Sequence, residues 1–327
     1  MKQAWPILTV ALGLVCQPVF AKLGKSNGFS GEVSISAAYS SNTSNLTNTD
    51  SEFKTYRGED QEDSSGLILP LGNVQYTFGS RSQHELFLGT TRSDVAIGTV
   101  ALETGYRHQL YDGTKLSFSV LPTILKGEVW QDPYLENQAR KTTDESGLAY
   151  RVQLNNIAGS LFSLDLAYGQ KDVDDEDSGS LLTAEEAQKL NRNADIFYSK
   201  AKMMLPISRT VLLYPAIIYS KQDADGSAMS NDTLGAEVAS FTSIGNHKFA
   251  LTLSYLNIDY DGANPIYNNQ KQKVDQWKFF LAYEYPSIFN IHNLSLVGFA
   301  GATSRDSNMD FYDEESWITA VGVNWKF

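Results

Sequence analysis

Stretches in which apolar and polar residues alternate recur from residue 29 to residue 327, and the connections between them are by turns short and long. Successive side chains of a strand point to opposite faces, so such alternation describes sheet with one greasy face and one polar face. "GFSGEVSISAAYS" sets Val33, Ile35, Ala37 and Tyr39 against Glu32, Ser34 and Ser36; "GNVQYTFG" sets Val74, Tyr76 and Phe78 against Asn73, Gln75 and Thr77. "KLSFSVLPTI", "GLAYRVQLNN", "KFALTLSY" and "QWKFFLAYEY" repeat the theme. Fourteen strands are expected, at roughly 29–41, 69–79, 83–92, 97–110, 115–125, 146–156, 160–171, 194–206, 209–221, 231–243, 247–260, 273–286, 293–304 and 315–327. Twelve or sixteen are also compatible with the pattern, because "RTVLLYPAIIYS" is apolar on both faces and the segments around Phe87 and Met203 alternate poorly.

The connections restrict the fold further. "SRS", "YDGT", "IAGS", "ISR", "SIGN" and "SIFNIH" are tight turns, and they fall after every second strand. Most of the others are long and polar, such as "NTSNLTNTDSEFKTYRGEDQEDSSG" and "KDVDDEDSGSLLTAEEAQKLNRNA"; the exception is the short connection near 93–96. An all-β, transmembrane antiparallel up-and-down β-barrel has this arrangement, with short periplasmic turns and long extracellular loops. A soluble sandwich has no reason to keep its long loops at one end. From Trp317 to Phe327 the chain runs ~33 Å, or ~25 Å vertically at a tilt of ~40°, which matches an apolar band. Trp277, Tyr285, Trp317 and Trp325 sit toward strand ends, where aromatic girdles meet lipid headgroups.

Composition narrows the setting. Residues 1–21 read as a cleaved secretory signal: a basic start, an apolar run from Trp5 to Val15, and Val19 and Ala21 before the cut. The barrel is then expected over 22–327. The one cysteine, Cys16, falls inside the signal; acylation there would need a small residue before it, and Val15 stands in that place. The mature chain therefore has no disulfide to hold it. After the signal no run of about 18 apolar residues remains to form a spanning helix. A net charge of −12 argues against nucleic acid as a partner.

The closing "GVNWKF", an alternating strand that ends in Phe327, resembles the C-terminal signature of bacterial outer-membrane barrels. That resemblance implies recognition of Trp325 and Phe327 by the barrel-assembly machinery. The chain as a whole looks like a porin-like outer-membrane protein of the porin-like L type. Such a protein lies among outer-membrane lipids and lipopolysaccharide of a Gram-negative bacterium, passes small hydrophilic solutes and is often a homo-oligomer. The seven residues "KLGKSNG" before the first strand are too few for the N-terminal plug of fatty-acid transporters of the same strand count.

With fourteen strands the backbone diameter is ~28 Å, which leaves a gap inside the wall. The alternation directs Glu32, Glu103, Arg107, Arg151, Asp165, Lys200, Lys202, Glu237, Lys278, Glu284 and Lys326 into it as candidate pore-lining residues. Charges on the lipid face are costly, whereas in water or in pairs they are tolerated. The loop with "EVWQDPYLENQARK" is the expected constriction, and "TAEEAQKLNR", with Thr183 and Glu186 as a capping box, reads as a helix on an external loop. "EDQED", "DVDDED" and "DFYDEE" concentrate acid at the outer mouth, which points to a weak cation preference, or to nothing more than solvated loop tips. "DADG" and "DYDG" lack the further ligands of a calcium loop and read as turns. His84, His108, His247 and His292 all fall beside the short turns, so no catalytic cluster, cofactor or metal site is expected. The alternatives to a pore are a non-conducting barrel whose loops bind a partner and, less favoured, a barrel enzyme.

Overall fold

A computed structural model of the chain describes residues 23–24, 26–47, 52–53, 62–95, 101–123 and 127–327. The expected signal, residues 1–21, lies outside these. Fourteen strands form one closed antiparallel ring. They are β1 (Gly28–Ser44), β2 (Glu62–Phe78), β3 (His84–Gly89), β4 (Glu103–Gln109), β5 (Lys115–Pro122), β6 (Thr142–Asn155) and β7 (Phe162–Val173). The ring continues with β8 (Ala194–Met203), β9 (Val211–Ala224), β10 (Asn231–Ile244), β11 (His247–Asn264), β12 (Gln270–Pro286), β13 (Leu294–Ser307) and β14 (Glu314–Lys326). Each strand pairs with the next, and β14 returns to β1 from Glu32↔Lys326 to Ser44↔Glu314. Two short segments extend the wall: Gly127–Trp130 runs on along β6, and Leu205–Pro206 along β9.

The count expected from alternation is the count in the ring. The boundaries differ in two directions. Most strands run further toward the loop end than their apolar stretch, because β1, β2, β11 and β12 keep their hydrogen bonds into polar sequence, as at Thr43↔Glu62. By contrast, β3 and β4 stop early, where strands were expected over 83–92 and 97–110; of the latter, 97–100 lie outside the described residues. Gly89 has φ +134, a region open to glycine alone, and a side chain there would strike the backbone of Gly72. The chain leaves the wall at that point.

The ring is inside-out relative to a water-soluble domain. Val33, Ile35, Val74, Leu86, Leu253, Phe279, Val321 and Trp325 are exposed on the outer face, while Thr77, Glu85, Ser117, Asp165, Lys200, Glu237 and Thr252 are buried within. At the turn end the outer face carries an aromatic band: Phe29 lies 4.8 Å from Tyr76, His84 stacks on His108 at 4.6 Å, and Trp325 lies 5.6 Å from Phe327. His247 belongs to the same band, 5.9 Å from Tyr283. His84, His108 and His247 are thus part of the aromatic band, as expected of polar aromatics at a membrane boundary.

Apolar packing of the ordinary kind is found at the loop end. Tyr134, Leu190, Ala228, Met229 and Phe311, from the β5–β6, β7–β8, β9–β10 and β13–β14 loops, make one buried cluster. Leu182, Ile266, Tyr267 and Tyr312 pack against it. The β5–β6 and β13–β14 loops spring from nearly opposite sides of the ring, and Tyr134 meets Phe311 at 5.6 Å, so the loops span the mouth. Tyr134 and Tyr312 share a hydrogen bond of 2.7 Å, and burial pushes both phenols up. Gly262 permits this closeness: a Cβ there would collide with the backbone of Ser227. Helix α2 (Ala184–Gln188), in the β7–β8 loop, carries the expected capping box of Thr183 and Glu186. One expectation fails: "DYDG" is not a turn but lies in β11, where the register slips between Asp259 and Ala263.

Replacing Phe311 with Ala should loosen this loop cluster by ~3–5 kcal/mol, the cost of emptying an aromatic site. Limited proteolysis should then cut the 174–193 loop much faster while the barrel's heat-modifiable migration on gels is unchanged.

Candidate functional site

The lumen is the candidate site. A cavity of about 1430 Å³ opens in it, and nine of the expected pore-lining residues border it: Glu32, Arg107, Arg151, Asp165, Lys200, Lys202, Glu237, Lys278 and Lys326. Glu103 and Glu284 also point inward but are spoken for. Ser119 donates to Glu103, and Glu284 accepts from Ser295 at 3.1 Å and from Lys326 at 2.6 Å. A second, smaller cavity of about 320 Å³ is lined by Glu32 and Glu284 together with Leu71, Val95, Phe241, Ala282 and Phe299.

Strand register sets the charges in rows. Lys200, Asp165, Gln153, Ser117, Arg107 and Glu85 occupy successive strands at one level from β8 back to β3. One step along the barrel axis, Lys202, Ala216, Glu237, Ser254 and Lys278 do the same from β8 to β12. Neighbours along and between rows pair: Arg107 with Glu85 at 2.8 Å, Lys200 with Glu237 at 2.5 Å. Arg107 also lies over the Phe87 ring at 3.7 Å. Lys202 and Lys278 have no carboxylate within 4 Å among the described residues, so they present free ammonium groups to the cavity.

The two sides of the lumen differ. From β3 to β8 the lining is mostly polar and charged, whereas β9 to β13 set Leu212, Ala216, Ile218, Phe241 and Phe280 beside the charges of Glu237 and Lys278. The two-sided apolarity of "RTVLLYPAIIYS", which blurred the strand pattern, is this face of the lumen. The wall is therefore amphipathic rather than evenly polar.

A single arginine organises the constriction. Arg151 on β6 donates Nε and Nη2 to Asp165 at 2.9 and 2.5 Å, and Nη1 to Asp94 at 2.7 Å; Glu103 stands 3.7 Å away. Asp94 belongs to α1 (Arg92–Val95), in the connection that leaves the wall after Gly89. Val95, on the same turn, reaches the small cavity beside Phe241 and Phe299. The described residues 90–95 of this connection narrow the lumen at Arg151, whereas "EVWQDPYLENQARK", the expected constriction, lies at the mouth. There Trp130 donates to the Thr47 carbonyl at 3.1 Å, Arg140 to the Asn45 carbonyl at 3.3 Å, and Tyr134 enters the loop cluster.

Asp94 was not among the expected lining residues, because its segment read as a short external turn. Glu85 was missed as well, although the spacing of Glu85 and Phe87 carries the inward signal. Of the two expected assembly residues, Trp325 is exposed on the outer face and Phe327 is half exposed at the rim of the main cavity, where its backbone exchanges two 3.0 Å hydrogen bonds with Gly31. No group of three or more metal-ligating side chains occurs among the described residues.

A family model described as "Protein of unknown function (DUF2860)" matches residues 28–326, which is the barrel from its first strand to its last. The chain belongs to that family. No curated protein matches it. Among solved structures, the DUF2860 barrel is similar to Pseudomonas aeruginosa OpdQ, with 11% identity over 91% of this chain and 97% of that one, at a TM-score of 0.36. It is similar to Acinetobacter baumannii OccAB3 at 10% identity, 91% and 99% coverage and a TM-score of 0.37. A Pseudomonas aeruginosa FadL homologue gives 9% identity, 91% and 90% coverage and a TM-score of 0.46.

The clasp between Asp94 and Arg151 has a pH signature. Burial pushes the Asp94 carboxyl up, but the hydrogen bonds and charge of Arg151 outweigh it and hold the group below its ordinary 3.8. A carboxylate whose folded pKa is depressed stabilises above its ordinary value and is lost as pH falls through the depressed one. A spin label at Val95→Cys should therefore be immobile from about pH 7 down to about pH 4 and loosen only below that. In an Asp94→Asn background it should be mobile across the whole range.

Proposed function

We propose that the chain is an outer-membrane channel through which small hydrophilic solutes and ions diffuse, with the short turns in the periplasm and the loops outside. The observation that carries this reading is the lumen of about 1430 Å³, bordered by charged side chains inside an apolar outer face. Residues 1–21 are read as its cleaved export signal. The barrel would be set among outer-membrane lipids and lipopolysaccharide, after the barrel-assembly machinery has engaged the strand ending in Trp325 and Phe327. Each wall carboxylate near the constriction has a cationic neighbour, so selectivity is weak; the acidic loops give it a cation bias, and Lys202 and Lys278 offset part of that bias. Nothing in this mechanism calls for a catalytic group, a cofactor or a nucleic acid. Assembly as a homo-oligomer is compatible with the apolar outer wall.

The loop cluster that spans the mouth favours a second reading, a barrel that does not conduct and whose acidic loops engage a surface partner. On the channel reading, the cluster is a cover that must part for solute to pass.

Single-channel recording in a planar bilayer under a salt gradient separates the two. A channel should give discrete steps with a reversal potential of weak cation sign, and Phe311→Ala should raise the fraction of time spent open several-fold. A folded barrel that stays silent both as the parent and as Phe311→Ala would defeat the channel reading.

A further inference from the structure

The two cavities of the lumen meet at one aromatic patch. On β9 and β10 Tyr214 meets Phe241 edge-on at 5.4 Å, and on β12 and β13 Phe280 stacks on Phe299 at 5.5 Å. Between the two pairs runs β11, which brings only Ala250 and Thr252 inward at these levels. With ~10 Å between β10 and β12, these small residues floor a slot wide enough for one flat ring between two others. Phe241 borders both cavities: the main one alongside Phe280, the small one alongside Phe299 and Val95 of α1. The slot therefore leads from the main cavity into the small one, whose volume is at the lower end of the range of ligand pockets.

At the end of the slot nearer the mouth stands a free charge. Lys278 shares a strand and a face with Phe280, two residues away. Glu237, on the same row as Lys278, is already engaged: it accepts from Lys200 at 2.5 Å and from Ser254 at 3.2 Å. Lys202 ends that row on the opposite flank and is as free of carboxylates as Lys278. Among the described residues, seven cationic side chains and five carboxylates border the main cavity, so an anion is attracted there although the loops above are acidic. From the level of Lys278 to that of Ala282, in the small cavity, the strand rises ~13 Å, roughly the length of two linked aromatic rings with an acid group.

We propose that this slot binds an aromatic anion of two rings. Its acid group meets Lys278, its first ring lies between Phe241 and Phe280, and its second enters the small cavity against Val95. Lys202 adds field across the lumen and makes no contact. The site names a solute class for the lumen, and it rests on the channel reading for the route by which the ligand arrives.

Isothermal titration of the refolded full-length barrel in detergent, with micelles alone as the blank, tests this with three probes. They are biphenyl-4-sulfonate, its neutral counterpart biphenyl-4-sulfonamide, and the one-ring benzenesulfonate. Biphenyl-4-sulfonate should bind about tenfold more tightly than the sulfonamide, the worth of one charged hydrogen bond. Lys278→Gln, which breaks no ion pair, should cost the sulfonate that factor and leave the sulfonamide unchanged, and Lys278→Arg should restore it. Val95→Trp, which fills the small cavity, should weaken biphenyl-4-sulfonate and spare benzenesulfonate. Heat-modifiable migration reports that each variant is folded. Equal affinity of the parent for sulfonate and sulfonamide overturns the site, as does an equal loss of both on Lys278→Gln. A larger loss on Lys202→Gln than on Lys278→Gln overturns the assignment of the acid group, and no loss on Val95→Trp overturns that of the second ring. Single-channel recording of the same preparation keeps this apart from the channel reading. A silent barrel whose binding depends on Lys278 supports the site and defeats the channel; a conducting barrel without such binding overturns the site alone.

Discussion

Satisfaction of the backbone governs this molecule. In hydrocarbon no water is at hand to pair an N–H or a carbonyl, so every strand needs a partner on both sides and the sheet must close on itself. The pairing of β14 with β1 over thirteen residue pairs is that closure. The other features follow from it: an apolar exterior, an interior free to hold charge, and long connections allowed only at one end. Where the ladder is interrupted, a residue that cannot donate is tolerated. Pro215 illustrates the rule within the ring, since it stands on β9 where β8 is interrupted between Met203 and Leu205.

The charges inside are arranged rather than scattered. Register alone places Asp165 beside Lys200 and Glu237 between Lys202 and Lys278, because a period of two fixes which residues face in and strand order fixes their level. Arg151 meets three carboxylates from separate segments, and a buried guanidinium needs such company, since an unpaired charge there would be costly. Removing it would leave Asp94, Asp165 and Glu103 facing one another. The constriction therefore rests on one side chain that ties a wall strand to the inserted connection.

Most of the wall was legible in the sequence, because each strand reports its two faces directly, and nine of the charges read as inward border the main cavity. What was not legible depends on contacts between distant segments. The segment around Phe87 reads poorly because β3 has only six residues, and nothing in "TRSDV" announces that Asp94 will meet Arg151, fifty-seven residues away. The loop cluster was equally hidden. Tyr134, Leu190, Met229 and Phe311 sit singly in polar loops, and their shared burial is a property of the assembled ring. The two-sided apolarity around Pro215 looked like noise in the alternation and turned out to be the greasy face of the lumen.

The seam between β1 and β14 joins Glu32 to Lys326, so the contact that completes the wall links opposite ends of the barrel sequence. Pairing over such a separation is slow, since the whole intervening chain must be confined before any reward is gained. Until then both seam strands are open edges with one greasy face, a species prone to stick to its own kind. Closing this seam is therefore the most demanding pairing of the ring in chain entropy, and shielding β1 until β14 arrives protects the longest-lived open edge.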